Sequence, residues 1–419
     1  MNTLTRSSIR ASTSLGFLGN LAKGQLLKRL KALPRGYLEI EDGEVVHSFG
    51  DPKEESLVHA KMIIKDASAY RDIAFGGSLG GAEAYMLDKW STPNMLELVR
   101  LMCINIDFLN QIDGSTPLLQ RAGDRLFHWL NRNTEKQARE NISRHYDLSN
   151  DFFSLFLDPQ MMYSAAIFEQ PETSLEEASV HKLEVICRKL ELQAEDHLLE
   201  IGTGWGGLAI YAAKHYGCCV TTTTISREQY EAACRRVRDE GLESRITVLF
   251  EDYRNLRGRF DKLVSVEMIE AVGHKYYSQY FRGCSDLLKA DGLMLLQAIT
   301  IPAQRYDYAR SSVDFIQRYI FPGGSLPSHE VITSAIRANT DMVMVGMQEI
   351  GEDYARTLHV WRERFLQRLD DVRALGFDDY FIRMWHYYLC YCQGGFEERI
   401  IGTSQILFAK PQWRQRADA

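Results

Sequence analysis

Leu198-Leu199-Glu200-Ile201-Gly202-Thr203-Gly204-Trp205-Gly206-Gly207 is the stretch whose reading decides the fold. An apolar run, an acid and a glycine-rich turn predict a buried strand, a close approach of backbone to a ligand, and the start of a helix. Gly202, Gly204 and Gly207 satisfy the G-x-G-x-x-G spacing of nicotinamide- and flavin-binding folds. Alone, that spacing separates neither a dinucleotide pocket nor an S-adenosylmethionine (SAM) pocket from a structural glycine turn.

Two neighbouring features favour SAM. Glu200 stands two residues before the first glycine, where a carboxylate reaches a ligand's amino group. A dinucleotide pocket needs instead an acid about twenty residues further on, at the end of the next strand. Here that strand, Cys219 to Thr223, runs into Thr224-Ile225-Ser226-Arg227-Glu228-Gln229, so hydroxyls and an amide stand where the acid is required.

Working outward, strand-like runs alternate with helical ones: His197 to Ile201, Cys219 to Thr223, Ile246 to Phe250, Lys262 to Val266 and Leu293 to Ile299. That alternation predicts an α/β fold with a parallel, doubly wound, Rossmann-like sheet and ligands beyond its carboxyl ends. Glu251-Asp252-Tyr253 ends the third strand, as an acceptor for an adenine amino group or as a surface acidic turn. After the fourth strand, Glu267 and Glu270 sit three residues apart and suit a cation or an oriented base. Glu267 reads equally as a solvated helix cap, and Glu270 is the favoured functional residue.

At 419 residues, 45% hydrophobic and 25% charged, the chain has room for two domains. A net charge of −7 argues against general nucleic-acid binding, yet residues 1 to 38 carry seven Lys or Arg and no acid. Gly19 to Leu33 has the pattern of a basic amphipathic helix, suited to an anionic membrane surface or to packing on its own domain. Its neighbours lack a signal-peptide pattern, so the N-terminus reads as part of the mature protein. Tyr37 to Phe49 alternates around Asp42-Gly43 as a hairpin does, and His59 to Ile64 suits a further strand. Helical patterns from Asp66 and across Asn94 to Leu109 flank a glycine turn at Gly76 to Gly81.

These signals divide the chain into a small α+β lipid- or membrane-associated domain (1–112), a helical connector (113–140) and a catalytic domain (141–419). Tyr319 to Gly324 reads as a lid, and the aromatic run 380–396 as core or as an acyl tunnel. No uncharged apolar run is long enough to span a bilayer. Eight cysteines without a C-x-x-C pair fit a reducing compartment, and no His or Cys group has zinc-ligand spacing.

The motifs HYDLSNDFFSLFLDPQMMYSAAIFE, LLEIGTGWGGLAIYAA, TTTTISREQ, EDYR, SVEMIEAVG, QRYIFPGGSLPS and EDYARTLHVW follow one another as in the cyclopropane fatty acid synthases. The resemblance covers about residues 140 to 410. Gly77 to Tyr85 followed by Trp90 is similar to the N-terminal domain of the longer bacterial members. The resemblance implies a class I SAM-dependent C-methyltransferase that delivers methyl to the double bond of an unsaturated acyl chain of a phospholipid. It would act at the cytoplasmic membrane face as a peripheral protein, with a homodimer left open.

By residue match, Tyr146, Tyr163, Ser164, Gly202, Gly204, Thr224, Ser226, Gln229, Glu251 and Asp252 line the SAM site, beside Glu200 and Gly207 from the local reading. Family members hold bicarbonate with a glutamate, a tyrosine, a histidine, a main-chain amide after that histidine, and a cysteine position. Glu270, Tyr354 and the Ile299 amide match three of these, whereas Gln297 and Ala165 replace the histidine and the cysteine. An amide cannot exchange a proton near neutral pH as imidazole can, which opens both a cyclopropane and a methyl-branched or methylene product. Two rival readings are an amine N-methyltransferase and a non-catalytic SAM- or lipid-binding relative.

Overall fold

A computed structural model describes residues 17–53, 58–113 and 148–415 of the chain. The described residues form two units: 17–113 with 376–398, and 148–375 with 399–415. The expected connector lies mostly outside them, as does Tyr146.

In the first unit, β1 (Tyr37–Asp42) pairs antiparallel with β2 (Val45–Gly50) and parallel with β3 (His59–Ile64). β4 (Trp90–Ser91) completes the sheet in the order β2-β1-β3-β4. The hairpin turns at Gly43, whose φ of +63° lies where a side chain is disfavoured. The helix Phe17–Leu30 buries Ala22, Leu26 and Leu30 and exposes Leu21, Lys28 and Arg29. It packs on the helix Ser68–Met86, and Lys23 pairs with Asp42, so its apolar face is spent inside its own unit.

The glycine turn expected at 76–81 is instead part of the helix Ser68–Met86, which kinks at Gly77 (φ 58°, ψ −143°). A Cβ on Gly80 would stand 2.2 Å from the Asp72 carbonyl oxygen, so the two halves close up only around glycine. The helix Asp379–Glu397 packs on this helix and on Met95–Ile104, although the sequence boundary grouped it with residues 141–419. Trp385, Tyr387 and Tyr388 are buried there as core.

The second unit carries a seven-stranded sheet in the order β10-β11-β9-β8-β5-β6-β7. β5 (His197–Ile201), β6 (Cys219–Thr224), β7 (Ile246–Phe250), β8 (Phe260–Val266) and β9 (Leu288–Thr300) are parallel, as the alternation predicts. β10 (Val343–Glu349) and β11 (Gly402–Ala409) add an antiparallel edge that the sequence reading did not include. Successive side chains feed opposite cores: Leu198, Val264 and Leu295 on one face, Leu199, Leu263 and Leu296 on the other. A strand covered on both faces must be apolar throughout, which is why these runs lack polar alternation. Register places Glu200 opposite Thr222 and Val264, and Val266 opposite Gln297, so the candidate site residues gather toward the carboxyl ends of the central strands.

Candidate active site

The turn after β5 takes φ values of +103° at Gly202, +52° at Gly204 and +85° at Gly206. Glycine adopts these angles without strain, and a Cβ on Gly204 would meet no atom within 4 Å, which leaves its backbone open to a ligand. Gly207 serves packing: a Cβ there would press on the Gln160 carbonyl at 3.0 Å. Behind the turn, the Thr222 hydroxyl donates to Glu200 over 2.5 Å and lies 2.8 Å from the Thr203 hydroxyl. Burial pushes the Glu200 carboxyl up to about 8, with Thr222 and Lys182 opposing it. This buried acceptor, set beneath open backbone, fits the amino-bearing end of SAM.

Thr224, Ser226 and Gln229 hold one another. Ser226 caps the helix Arg227–Asp239 by accepting from the Gln229 amide, and the Thr224 hydroxyl donates to Gln229 Oε1 at 2.9 Å. Glu251 accepts from the Asp252 amide and from Asn255 Nδ2. The Asp252 carboxylate accepts from Arg254, at 2.8 Å from Nε and 2.7 Å from an Nη, which fixes the turn.

Residues 163–165 lie near the glycine turn, since Phe153 packs on both Tyr163 and Trp205. Tyr163 stacks on Trp361 with ring centroids 5.4 Å apart, and Ser164 accepts from Lys182 Nζ at 2.7 Å. Lys182 is fully buried; burial pushes its ammonium down, while Glu267, Asp158 and Glu200 pull it up. The sequence reading missed it. In the helix Leu175–Lys189 it shares a face with Leu175, Ala178 and Ile186, and a lysine in that apolar stripe was the available signal.

Glu267 is no solvated cap. Its Oε1 accepts from the Ala165 amide at 3.0 Å and from Gln297 Nε2 at 2.8 Å, and its Oε2 from the Tyr354 hydroxyl at 2.7 Å. Protein surrounds it while some surface stays accessible, as in a residue lining a cavity. Burial pushes its carboxyl up, and the three donors and Lys182 pull it down. Of the five residues expected around one anion, three therefore meet at Glu267. The other two pair separately: the Ile299 amide donates to Glu270 Oε1 at 2.6 Å, and Glu270 Oε2 is buried with no hydrogen-bond partner among the described residues. Burial and the neighbouring Glu267 push Glu270 up to about 8. The stretch expected as a lid runs beside this turn, where the Ser325 amide donates to the Glu270 carbonyl. Among the described residues no cluster of His, Cys, Asp or Glu could hold a metal ion.

A mostly parallel sheet in this order, with an acid and a glycine turn closing its first central strand, defines a class I SAM-dependent methyltransferase. SAM is its co-substrate. Residues 133–406 match the profile of the mycolic acid cyclopropane synthetase family, and the chain belongs to that family. It is 37% identical over 367 residues to tuberculostearic acid methyltransferase UfaA1 of Mycobacterium tuberculosis, covering 85% of this chain and 83% of that one. It is 38% identical over 353 residues to cyclopropane-fatty-acyl-phospholipid synthase of Escherichia coli, covering 84% and 88%. Among solved structures, cyclopropane synthase MmaA2 from Mycobacterium tuberculosis is similar with a TM-score of 0.61 and 31% identity, over 65% of this chain and 98% of that one. Mycolic acid cyclopropane synthase CmaA1, complexed with SAH and CTAB, gives the same four values: 0.61, 31%, 65% and 98%.

Proposed function

We propose that the enzyme transfers the methyl group of SAM to the double bond of an unsaturated fatty acyl chain of a phospholipid. The observation that carries this is a buried carboxylate pair beside the cofactor turn: a Cβ on Gly202 would lie 3.4 Å from Met268, between Glu267 and Glu270. Methylating an alkene is a reaction that needs a base at such a position. The π electrons form the new C–C bond, the C–S electron pair leaves with sulfur, and a carbocation remains on the acyl chain. A base must then take a proton. Removal from the new methyl group closes a cyclopropane; removal from a neighbouring chain carbon leaves a methyl-branched alkene; and a 1,2-hydride shift onto the cation, followed by proton loss from the methyl, leaves a methylene alkene. Tyr163 and Tyr354 pack on the fully buried Trp361, which sets an aromatic cluster beside Glu267.

Glu200, Gly202, Gly204, Tyr163 and Ser164 form the SAM-facing set in this reading, with Gly207 packing the turn in place and Thr224, Ser226, Gln229, Glu251 and Asp252 shaping its rim. Tyr146 joins by resemblance alone. The N-terminal unit is the lipid-associated domain, at the cytoplasmic membrane face. Because the helix Phe17–Leu30 buries its apolar stripe, Lys28 and Arg29 bring it to anionic lipid by charge rather than by insertion. No described helix is long and apolar enough to cross a membrane. A homodimer would use the β10 edge, where Val343, Met344 and Met347 are exposed.

Purified protein, SAM and vesicles of monounsaturated phospholipid provide the test, read by mass spectrometry of the acyl chains before and after mild hydrogenation. A gain of one CH2 is expected, and its resistance to hydrogenation tells ring from branched alkene. Methyl transfer to small amines with none to lipid would sink the reading. For docking, flotation with anionic vesicles that survives neutralising Lys28 and Arg29 would remove the role given to that helix.

A further inference from the structure

The donors around Glu267 form an anion cradle. The Ala165 amide can only donate, and Gln297 is bound to present its nitrogen: Lys189 donates to Gln405 Oε1 at 2.6 Å, and Gln405 Nε2 donates to Gln297 Oε1 at 2.9 Å. With Tyr354 they surround a carboxylate that the chain itself supplies. These are the Ala165, Gln297 and Tyr354 positions that the resemblance assigned to bicarbonate, and Glu267 occupies their donors. It does so at φ +49°, the left-handed region. That conformation is disfavoured for a residue with a side chain, and glycine adopts it freely. A strained residue held by converging donors points to function.

We propose that Glu267 is the general base of the reaction, a resident carboxylate that takes the place of bicarbonate and makes turnover independent of it. The proposal rests on the acyl-chain reading above. After methyl transfer, a C–H bond beside the cation breaks and its electron pair forms the ring bond or the new C=C bond. The proton goes to Glu267 Oε2, whose hydrogen-bond partner among the described residues is Tyr354, and is passed to water before the next turnover. Glu270, with the Ile299 amide on Oε1 and, among the described residues, no partner on Oε2, stays the neutral acid at pH 7, so the two carboxyls divide the roles.

The test compares turnover on the same vesicles in CO2-free buffer with and without added bicarbonate, for wild type, Glu267→Gln and Glu267→Gly. Wild type should run equally in both. Glu267→Gln should lose about 10²–10⁴ in kcat, the usual worth of a general base, with SAM affinity unchanged. Glu267→Gly should be inactive until bicarbonate enters the emptied cradle. A wild type that stops without bicarbonate and restarts with it overturns the proposal, as does a Glu267→Gln enzyme with full kcat. Titration of wild type with 13C-bicarbonate followed by NMR needs no variant to fold: absence of saturable binding is expected, and stoichiometric binding competes the proposal away. Wild type that methylates no acyl chain in either buffer defeats the acyl-chain reading instead, and the bicarbonate titration still decides whether the cradle is filled.

Discussion

Gln297 offers Glu267 its amide nitrogen and not its carbonyl oxygen, across 2.8 Å. The direction is set two residues away, since Lys189 can only donate to Gln405 and Gln405 must then donate to Gln297. Gln405→Leu leaves the buried Gln297 oxygen without its donor, a loss of about 1–3 kcal/mol. Urea denaturation should show that loss, and kcat should fall with KM for SAM unchanged. Unchanged stability together with unchanged kcat would mean that Gln297 is oriented by something else.

SAM binding should release a proton. Burial holds the Glu200 carboxyl at about 8, so at pH 7 it is largely neutral before the ligand arrives. Its surroundings are Thr222, which donates to it, and the charge of Lys182. A cationic amino group placed against it favours the ionised form. Calorimetry in buffers of different ionisation enthalpy should detect up to about one proton released near pH 7, and none in Glu200→Gln. Equal release from the variant would assign the proton to another group.

Much of the second unit was legible because its strands are covered on both faces and so read as apolar runs such as Leu198-Leu199 and Leu293 to Leu296. β10 was not, because its exposed Val343, Met344 and Met347 lie on an edge with no burial pattern to mark it. In the site, Glu200 and the glycine turn were local signals. Glu267 was undervalued because its three partners come from residues 165, 297 and 354, a convergence that spacing along the chain does not encode. The helix through Gly76 to Gly81 was misread because glycine marks both a turn and a close helical kink.

Removing the buried Lys182 charge should move the pH dependence of turnover. Its ammonium lowers the carboxyls of Glu267, Glu200 and Asp158. In Lys182→Met those groups rise, so a base that must be ionised becomes active only at higher pH. The acidic limb of the kcat profile should shift upward, with Glu270 and Tyr354 still flanking Glu267. A limb that stays in place, with kcat merely scaled down, would make Lys182 a packing residue.

The unliganded protein should lose stability as pH rises. Glu270 sits at about 8 when folded against an ordinary 4.5, its carboxyl facing Glu267 and the Ile299 amide. An acid raised on folding contributes stability that is complete below its unfolded value and is lost as pH climbs through the folded one. Between pH 6 and pH 9 the melting temperature should therefore fall, and Glu270→Gln should flatten that fall. An equally steep decline in the variant would place the titration on Glu200 or Glu267.

Two glycines of one helix should respond to alanine with opposite signs. Gly80 packs so close to the first half of the helix that a Cβ would stand 2.2 Å from the Asp72 carbonyl oxygen, with backbone rather than a yielding side chain in the way. Gly80→Ala must reopen the kink at Gly77, and overpacking of this kind costs about 1–3 kcal/mol. Gly76 is helical and a Cβ there meets nothing within 4 Å. Alanine at that position removes only the entropic penalty of glycine, a gain of about 0.5–1 kcal/mol. Thermal melts of both variants decide the point. If Gly80→Ala is neutral, the halves are not locked by their close approach, and the helix is free to straighten.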